Sequence, residues 1–238
     1  MGTSGLWERY ERACARLDAP FALVDLDALW ANADRMLARA AGKPIRVASK
    51  SVRCRALLHR ILARNPGFKG LMTFTLAETL WLHGQGFDDL LLAYPTTDRA
   101  ALADLAKLEG DGRPIVMVDS VEQLDFLARA AGDPAAPLRL CVEFDTGYRL
   151  PGGLATIGPK RSPIRTPDQA AALAREIARR PQFELAGPTC QQASRLFTNF
   201  LNNDFTGILP GAWDLDPQTG TFRRGAGNYG FRVKPAGA

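Results

Sequence analysis

The sequence predicts an α/β fold in which parallel strands curl into a (β/α) barrel of the TIM type, incomplete at about six of eight βα units. Three observations predict it. Short apolar runs alternate with amphipathic stretches from residue 45 to residue 187, which places helices outside a parallel sheet. No GxGxxG or P-loop pattern follows any run, and this counts against the competing layout, an open doubly wound sheet that binds a nucleotide. At their C-terminal ends, where barrel chemistry sits, the runs present Lys50, Thr75, Tyr94, Asp119, Asp145 and Arg149, a polar ring with one lysine.

The elements follow in order. Residues 6–17 have the spacing of a short amphipathic helix, broken at Asp18-Ala19-Pro20. Phe21 to Asp25 reads as a strand, and Leu26 to Ala41 as a helix closed by Gly42. Strand 45–49 leads into helix 53–64, whose Leu57, Leu58, Ile61 and Leu62 share one face. Strand 70–74 precedes helix 76–83, with Thr75 and Glu78 at the spacing of a capping box. Strand 89–93 precedes helix 98–108, and strand 114–118 precedes helix 121–131, which Ser120 and Gln123 cap. Strand 138–144 runs into a Gly/Pro-rich loop, 146–165. Thr166-Pro167-Asp168-Gln169 then opens helix 168–180, with Thr as cap and Pro at the first helical position. The sixth strand is 183–187. Beyond it the alternation stops: Gln191 to Leu201 is a possible helix, and Phe222 to Lys234 a possible hairpin among turn residues. The expected organisation is a barrel-like domain over 1–187 and a divergent tail over 188–238.

The totals narrow the function. A chain of 238 residues, 46% hydrophobic and 23% charged, has material for a sizeable core. Its net charge of +5 is spread along helical patterns rather than gathered into a patch, so no nucleic-acid role is expected. Cys14, Cys54, Cys141 and Cys190 are far apart and, with only His59 and His83, offer no metal spacing. Reduced thiols, no signal peptide and no apolar run of roughly 18 residues imply a soluble cytoplasmic protein without a membrane partner.

Lysine at the end of a buried strand can act as a nucleophile and join carbonyl compounds, among them pyridoxal 5′-phosphate (PLP). Lys50, in Ile45-Arg46-Val47-Ala48-Ser49-Lys50, has that placement, although a solvated lysine at a strand end is the ordinary alternative. Cys54 reads as a small packing residue and His59 as a surface residue. Arg161 and Arg165 lie in a basic loop that reads as solvated, with attraction of a carboxylate or phosphate as the alternative.

Several segments in register resemble one known group. Ala19-Pro20-Phe21-Ala22-Leu23-Val24-Asp25-Leu26-Asp27-Ala28-Leu29, Arg46-Val47-Ala48-Ser49-Lys50, Thr73-Phe74-Thr75-Leu76-Ala77-Glu78, Asp88-Asp89-Leu90-Leu91-Leu92-Ala93-Tyr94-Pro95, Val118-Asp119-Ser120 and Val142-Glu143-Phe144-Asp145-Thr146-Gly147-Tyr148-Arg149 together resemble the fold-type III PLP enzymes. These are the alanine racemase and D-threonine aldolase group, and within it the bacterial proteins called amino acid deaminase/aldolase are the most similar. The resemblance covers about residues 19–187. It implies PLP as cofactor, held by Lys50 as a Schiff base, with Lys50 later serving as a base at the substrate Cα. It implies Arg149 in the cofactor pocket, although its spacing from Gly147 is one residue shorter than in alanine racemases. Tyr94 would pack against the ring or substrate, or be a rim tyrosine, and Asp145 would be a pocket acid or a loop-capping acid. The implied function is a PLP-dependent enzyme acting on amino acids, of the D-amino acid aldolase/deaminase or racemase type, as a possible homodimer. The group's last barrel strands and C-terminal β domain find no counterpart in 188–238. A non-catalytic PLP-binding protein and a truncated pseudoenzyme without cofactor are therefore the alternatives.

Overall fold

The computed structural model describes residues 3–143, 145, 148–149, 156–157, 162–189, 213–216, 221–224 and 231–232. The chain forms two compact units, residues 1–42 and 43–238. The first unit holds α1 (Thr3–Cys14) and α2 (Leu26–Ala40). Asp25 caps α2: its carboxylate accepts from the Ala28 N–H at 3.0 Å and from the Tyr10 hydroxyl at 2.8 Å. Those two bonds, the Ala28 bond foremost, hold the Asp25 carboxyl below its usual range. Residues 21–25 are not the expected strand. They have no ladder partner among the described residues, and Phe21, Leu23 and Val24 are 49%, 47% and 47% exposed. β-prone residues make a strand only when a neighbouring edge takes their backbone groups.

The second unit is built on one sheet. Its strands are β1 (Ile45–Ala48), β2 (Phe68–Thr73), β3 (Leu90–Leu92), β4 (Ile115–Val118), β5 (Leu138–Glu143) and, later in the chain, β8 (Phe183–Thr189). All six are parallel and lie side by side in chain order. A doubly wound sheet reverses its order at a switch point. This one does not, as the barrel expectation requires, and it stands as an open sheet of six strands. Helices α3 (Ser49–Val52), α4 (Arg55–Arg64), α5 (Leu76–Gly84), α6 (Arg99–Leu105), α7 (Val121–Ala131) and α8 (Pro167–Ala178) provide the crossovers.

Strands buried on both faces explain the continuous apolar runs. On one face Leu92, Val116, Val118, Leu140 and Val142 pack with Leu102, Leu124, Leu127, Leu173 and Ile177 of the helices. On the other, Leu91, Ile115, Met117 and Cys141 form a second cluster. Buried threonines tie α5 to the sheet: Thr79 donates to the Thr75 carbonyl at 2.7 Å and meets the Thr73 hydroxyl at 2.6 Å. The Arg46 guanidinium crosses from β1 to Asp89, where it binds both the carbonyl oxygen and the carboxylate. Gly70 lies beneath this contact with φ +67°.

Helix starts follow the expected chemistry, except that neither Glu78 nor Gln123 closes a box on its cap; the Gln123 amide donates to the Thr96 carbonyl instead. Thr166 and Gln169 make the full capping box, with Pro167 at the first helical position. Asp98, Ser120 and Thr75 also cap through their side chains. Glu78 does not close its box on Thr75; its carboxylate reaches one residue further back, to the Phe74 N–H at 3.0 Å.

The loop after β5 contains a short antiparallel pair that the sequence did not suggest, β6 (Tyr148–Arg149) with β7 (Thr156–Ile157). In the tail, β10 (Thr221–Arg224) pairs with β11 (Phe231–Arg232) as the expected hairpin, and with β9 (Trp213–Asp216) as an unexpected third strand. The suggested helix 191–201 lies outside the described residues, as do Arg161 and Cys190. Among the described residues no helix is long and apolar enough to cross a membrane.

Candidate active site

Lys50 is not the last residue of β1. The strand ends at Ala48, and Ser49–Val52 form a single helical turn closed by Arg53 in the left-handed region, φ 48°. The turn carries the half-buried Lys50 amine past the end of β1 toward the loops after β2 and β3. There Lys50 Nζ donates to the Tyr94 hydroxyl at 2.7 Å. The ammonium lies 5.6 Å from the Phe74 ring centre, within the range of cation–π attraction, and stands off the hydroxyl edge of Tyr94, 5.0 Å from that ring's centre. The two rings meet edge to face at 5.5 Å and 86°. Lys50, Phe74 and Tyr94 come from the C-terminal ends of three successive strands, so strand order alone brings them together.

A carboxylate supports this group from behind. Glu78 accepts from the Ser49 hydroxyl at 2.7 Å with one oxygen and from the Phe74 N–H with the other. Ser49 is buried, with 2% of its surface exposed. One side chain thus joins the residue before Lys50 to the backbone of the aromatic beside it. Sequence reading missed this link. The Thr75–Glu78 spacing marked Glu78 as a cap, and nothing in 29 residues of separation pointed to Ser49.

A cavity of about 350 Å³ opens beside the cluster, lined by segments 74–76 and 94–98 and by Leu92. It shares Phe74 and Tyr94 with the lysine. Asp98 is the only charged residue in this lining, and no lining residue is basic.

The other ring residues divide. Asp145 is buried and pairs with Arg165 at 3.7 Å, while its N–H donates to the Ile164 carbonyl at 2.7 Å. It fastens the loop before α8, in line with the loop-capping alternative, and Arg165 is not simply solvated. Arg149 lies on β6, and its side chain is outside the described residues. Cys54 is exposed rather than packed, because it stands in the break between α3 and α4 where no helix face covers it. His59 is exposed as expected and stacks on Phe87 at 4.0 Å.

Asp119 follows β4, and burial pushes its carboxyl up from the usual range. A raised folded-state value means that the folded chain holds the proton more tightly than the unfolded chain. Stability is therefore lost as pH rises from the unfolded carboxylate range through the folded value, and the loss persists at neutral pH. Asp119→Asn should raise the unfolding midpoint at pH 7 and lose that advantage at a pH below both values. Urea denaturation at the two pH values checks this, and an Asn variant that is no more stable at pH 7 refutes it.

The family described as alanine racemase, N-terminal domain, matches residues 24–194. The chain belongs to this family, and with it to the fold-type III PLP enzymes. Among solved structures, the family member is similar to D-threonine aldolase from Filomicrobium marinum, at 26% identity and a TM-score of 0.57 over 72% of this chain. The match spans 44% of that aldolase. Alanine racemase from E. faecalis matches 71% of this chain and 44% of its own at 17% identity, with a TM-score of 0.46. No curated protein matches the sequence at a significant level.

Proposed function

We propose that this chain is the PLP-binding part of an enzyme acting on amino acids, of the D-amino acid aldolase/deaminase or racemase type, and that Lys50 is the residue that holds the cofactor. One observation carries the reading: within the stretch matched by the family, a half-buried lysine amine stands at the C-terminal mouth of β1, fixed by a tyrosine hydroxyl at 2.7 Å. The residues fit the carbonyl and ring end of pyridoxal, which needs a reachable amine and flat apolar surface, and Lys50, Phe74 and Tyr94 offer both. The cavity lining has no basic residue for the phosphate; Arg149, in the loop after β5, is the further residue that this reading assigns to the cofactor pocket. When bound, PLP withdraws electrons from the bonds at the substrate Cα.

The chain's own residues do the rest. Tyr94 takes one proton of the Lys50 amine in a hydrogen bond and sets its direction. Phe74 and Tyr94 keep water from two sides of the nitrogen. Glu78 fixes the turn that carries it. Lys50, once neutral, is placed to take up or return a proton at Cα. The reading treats 1–187 as the barrel-like domain, with 188–238 a separate tail, and includes a cytoplasmic setting and a homodimer.

The test is to incubate the full chain with PLP, reduce with borohydride and map the modified peptide. We expect a long-wavelength absorption band before reduction and label on Lys50 alone. A Lys50→Ala chain should show neither. Label spread over surface lysines, or an equal band in Lys50→Ala, defeats the proposal. A band without any response to D- or L-amino acids favours a protein that binds PLP without turning substrate over.

A further inference from the structure

The aromatic corner beside Lys50 already holds a cation, and the cation it holds belongs to the protein itself. Lys50 Nζ stands beside the edge-to-face pair, 5.6 Å from the Phe74 ring centre, and bonds the Tyr94 hydroxyl. The same two rings form one wall of the 350 Å³ cavity, and the one charge in its lining is the Asp98 carboxylate. An aromatic ring, a phenol oxygen and a carboxylate are elements by which proteins recognise alkylammonium groups. The hydroxyls of Thr75 and Thr96 also line it. Each accepts a backbone N–H, from Glu78 and from Asp98, both at 3.2 Å. Lined this way, the cavity disfavours a phosphate or a carboxylate, for which Asp98 is repulsive. Its volume suits a side chain of a few carbons. The loop is held in shape by Gln123, whose amide donates to the Thr96 carbonyl at 2.8 Å.

We propose that this cavity is a recognition site for an alkylammonium group, with Asp98 as its anionic end and the Phe74–Tyr94 corner as its mouth. Its identity as a substrate pocket rests on the function proposed above; on that reading the group is the terminal amine of a basic amino acid.

The experiment titrates n-butylammonium and, as a neutral match, n-butanol into the cofactor-free full chain, with binding read by NMR. Removing the resident cation should strengthen the site, so Lys50→Ala should bind n-butylammonium about tenfold more tightly than wild type and about tenfold more tightly than n-butanol. Adding Asp98→Asn should abolish the preference for the ammonium. Asn caps a helix as well as Asp does, and Asp98 caps α6 through the Ala101 N–H at 3.0 Å; the variant thus removes the charge and keeps the fold. Equal binding of amine and alcohol in Lys50→Ala, or a preference that survives Asp98→Asn, overturns the site. PLP uptake by wild type is scored separately, so a chain that prefers the ammonium and refuses PLP defeats the proposed function and not the pocket. In PLP-loaded wild type, D-lysine should perturb the absorption band at concentrations about tenfold lower than D-norleucine. Equal potency overturns the substrate assignment.

Discussion

Gly70→Ala should cost this fold about 2–5 kcal/mol, from a left-handed backbone that alanine resists and from overlap in a packed interior. The glycine sits in β2 with φ +67°, and a Cβ there would overlap the Asp89 carbonyl oxygen and lie 2.6 Å from Arg46 Nη1 and 2.7 Å from the Asp89 carboxylate. The arginine end could shift, but the carbonyl belongs to the backbone just before β3. Any movement pulls apart the Arg46–Asp89 clamp that joins β1 to the start of β3. Gly86 supplies the control, because its φ is +83° and nothing lies within 4 Å of the added carbon. Gly86→Ala should therefore show the backbone cost alone, about 1–2 kcal/mol. Urea unfolding of both variants separates the two contributions. Equal losses would show that the clamp yields without cost.

This strain illustrates what a sequence conceals. Leu90 to Leu92 and Ile115 to Val118 announce themselves as buried strands, because parallel strands covered on both faces need no polar alternation. The Thr166–Gln169 box is equally plain, since its chemistry is local. Gly70 looks like an ordinary strand-edge glycine until Asp89, nineteen residues on, is placed above it. Likewise Phe21 to Val24 has the composition of a strand, but pairing depends on an edge that no local pattern reports. Lys50 stands out through the resemblance and its place after an apolar run, yet its position in a helical turn was not legible. The four residues Ser49 to Val52 are too few to carry a helical period. Its partners Tyr94 and Phe74 follow β3 and β2, and the ordered strand sequence that juxtaposes them became visible only with the sheet.

Glu78→Ala should lower the affinity for PLP by about tenfold or more, because the two hydrogen bonds it removes go to a charged acceptor and each is worth roughly 1.5–3 kcal/mol. On the proposed function, Glu78 is a positioning residue and touches neither cofactor nor substrate. One oxygen holds Ser49, the residue preceding Lys50, and the other holds the Phe74 backbone. Its loss leaves the buried Ser49 hydroxyl with only a 3.5 Å contact to the Met72 carbonyl, and the turn that carries Lys50 is no longer fixed to α5. Glu78→Gln should fall between wild type and Glu78→Ala, since an amide can still bond Ser49 while its nitrogen cannot accept from Phe74. A purely structural residue would lower unfolding stability and leave the rate of borohydride-trapped label at Lys50 unchanged in the folded fraction. The positioning role predicts that this rate falls in step with PLP affinity. Ser49→Ala supplies the second edge of a double-mutant cycle, in which a coupling well above 0.5 kcal/mol identifies the Ser49–Glu78 bond as the path by which the carboxylate acts on the lysine. If Ser49→Ala and Glu78→Ala are additive, the effect runs instead through Phe74, and the aromatic corner rather than the turn governs where the amine points.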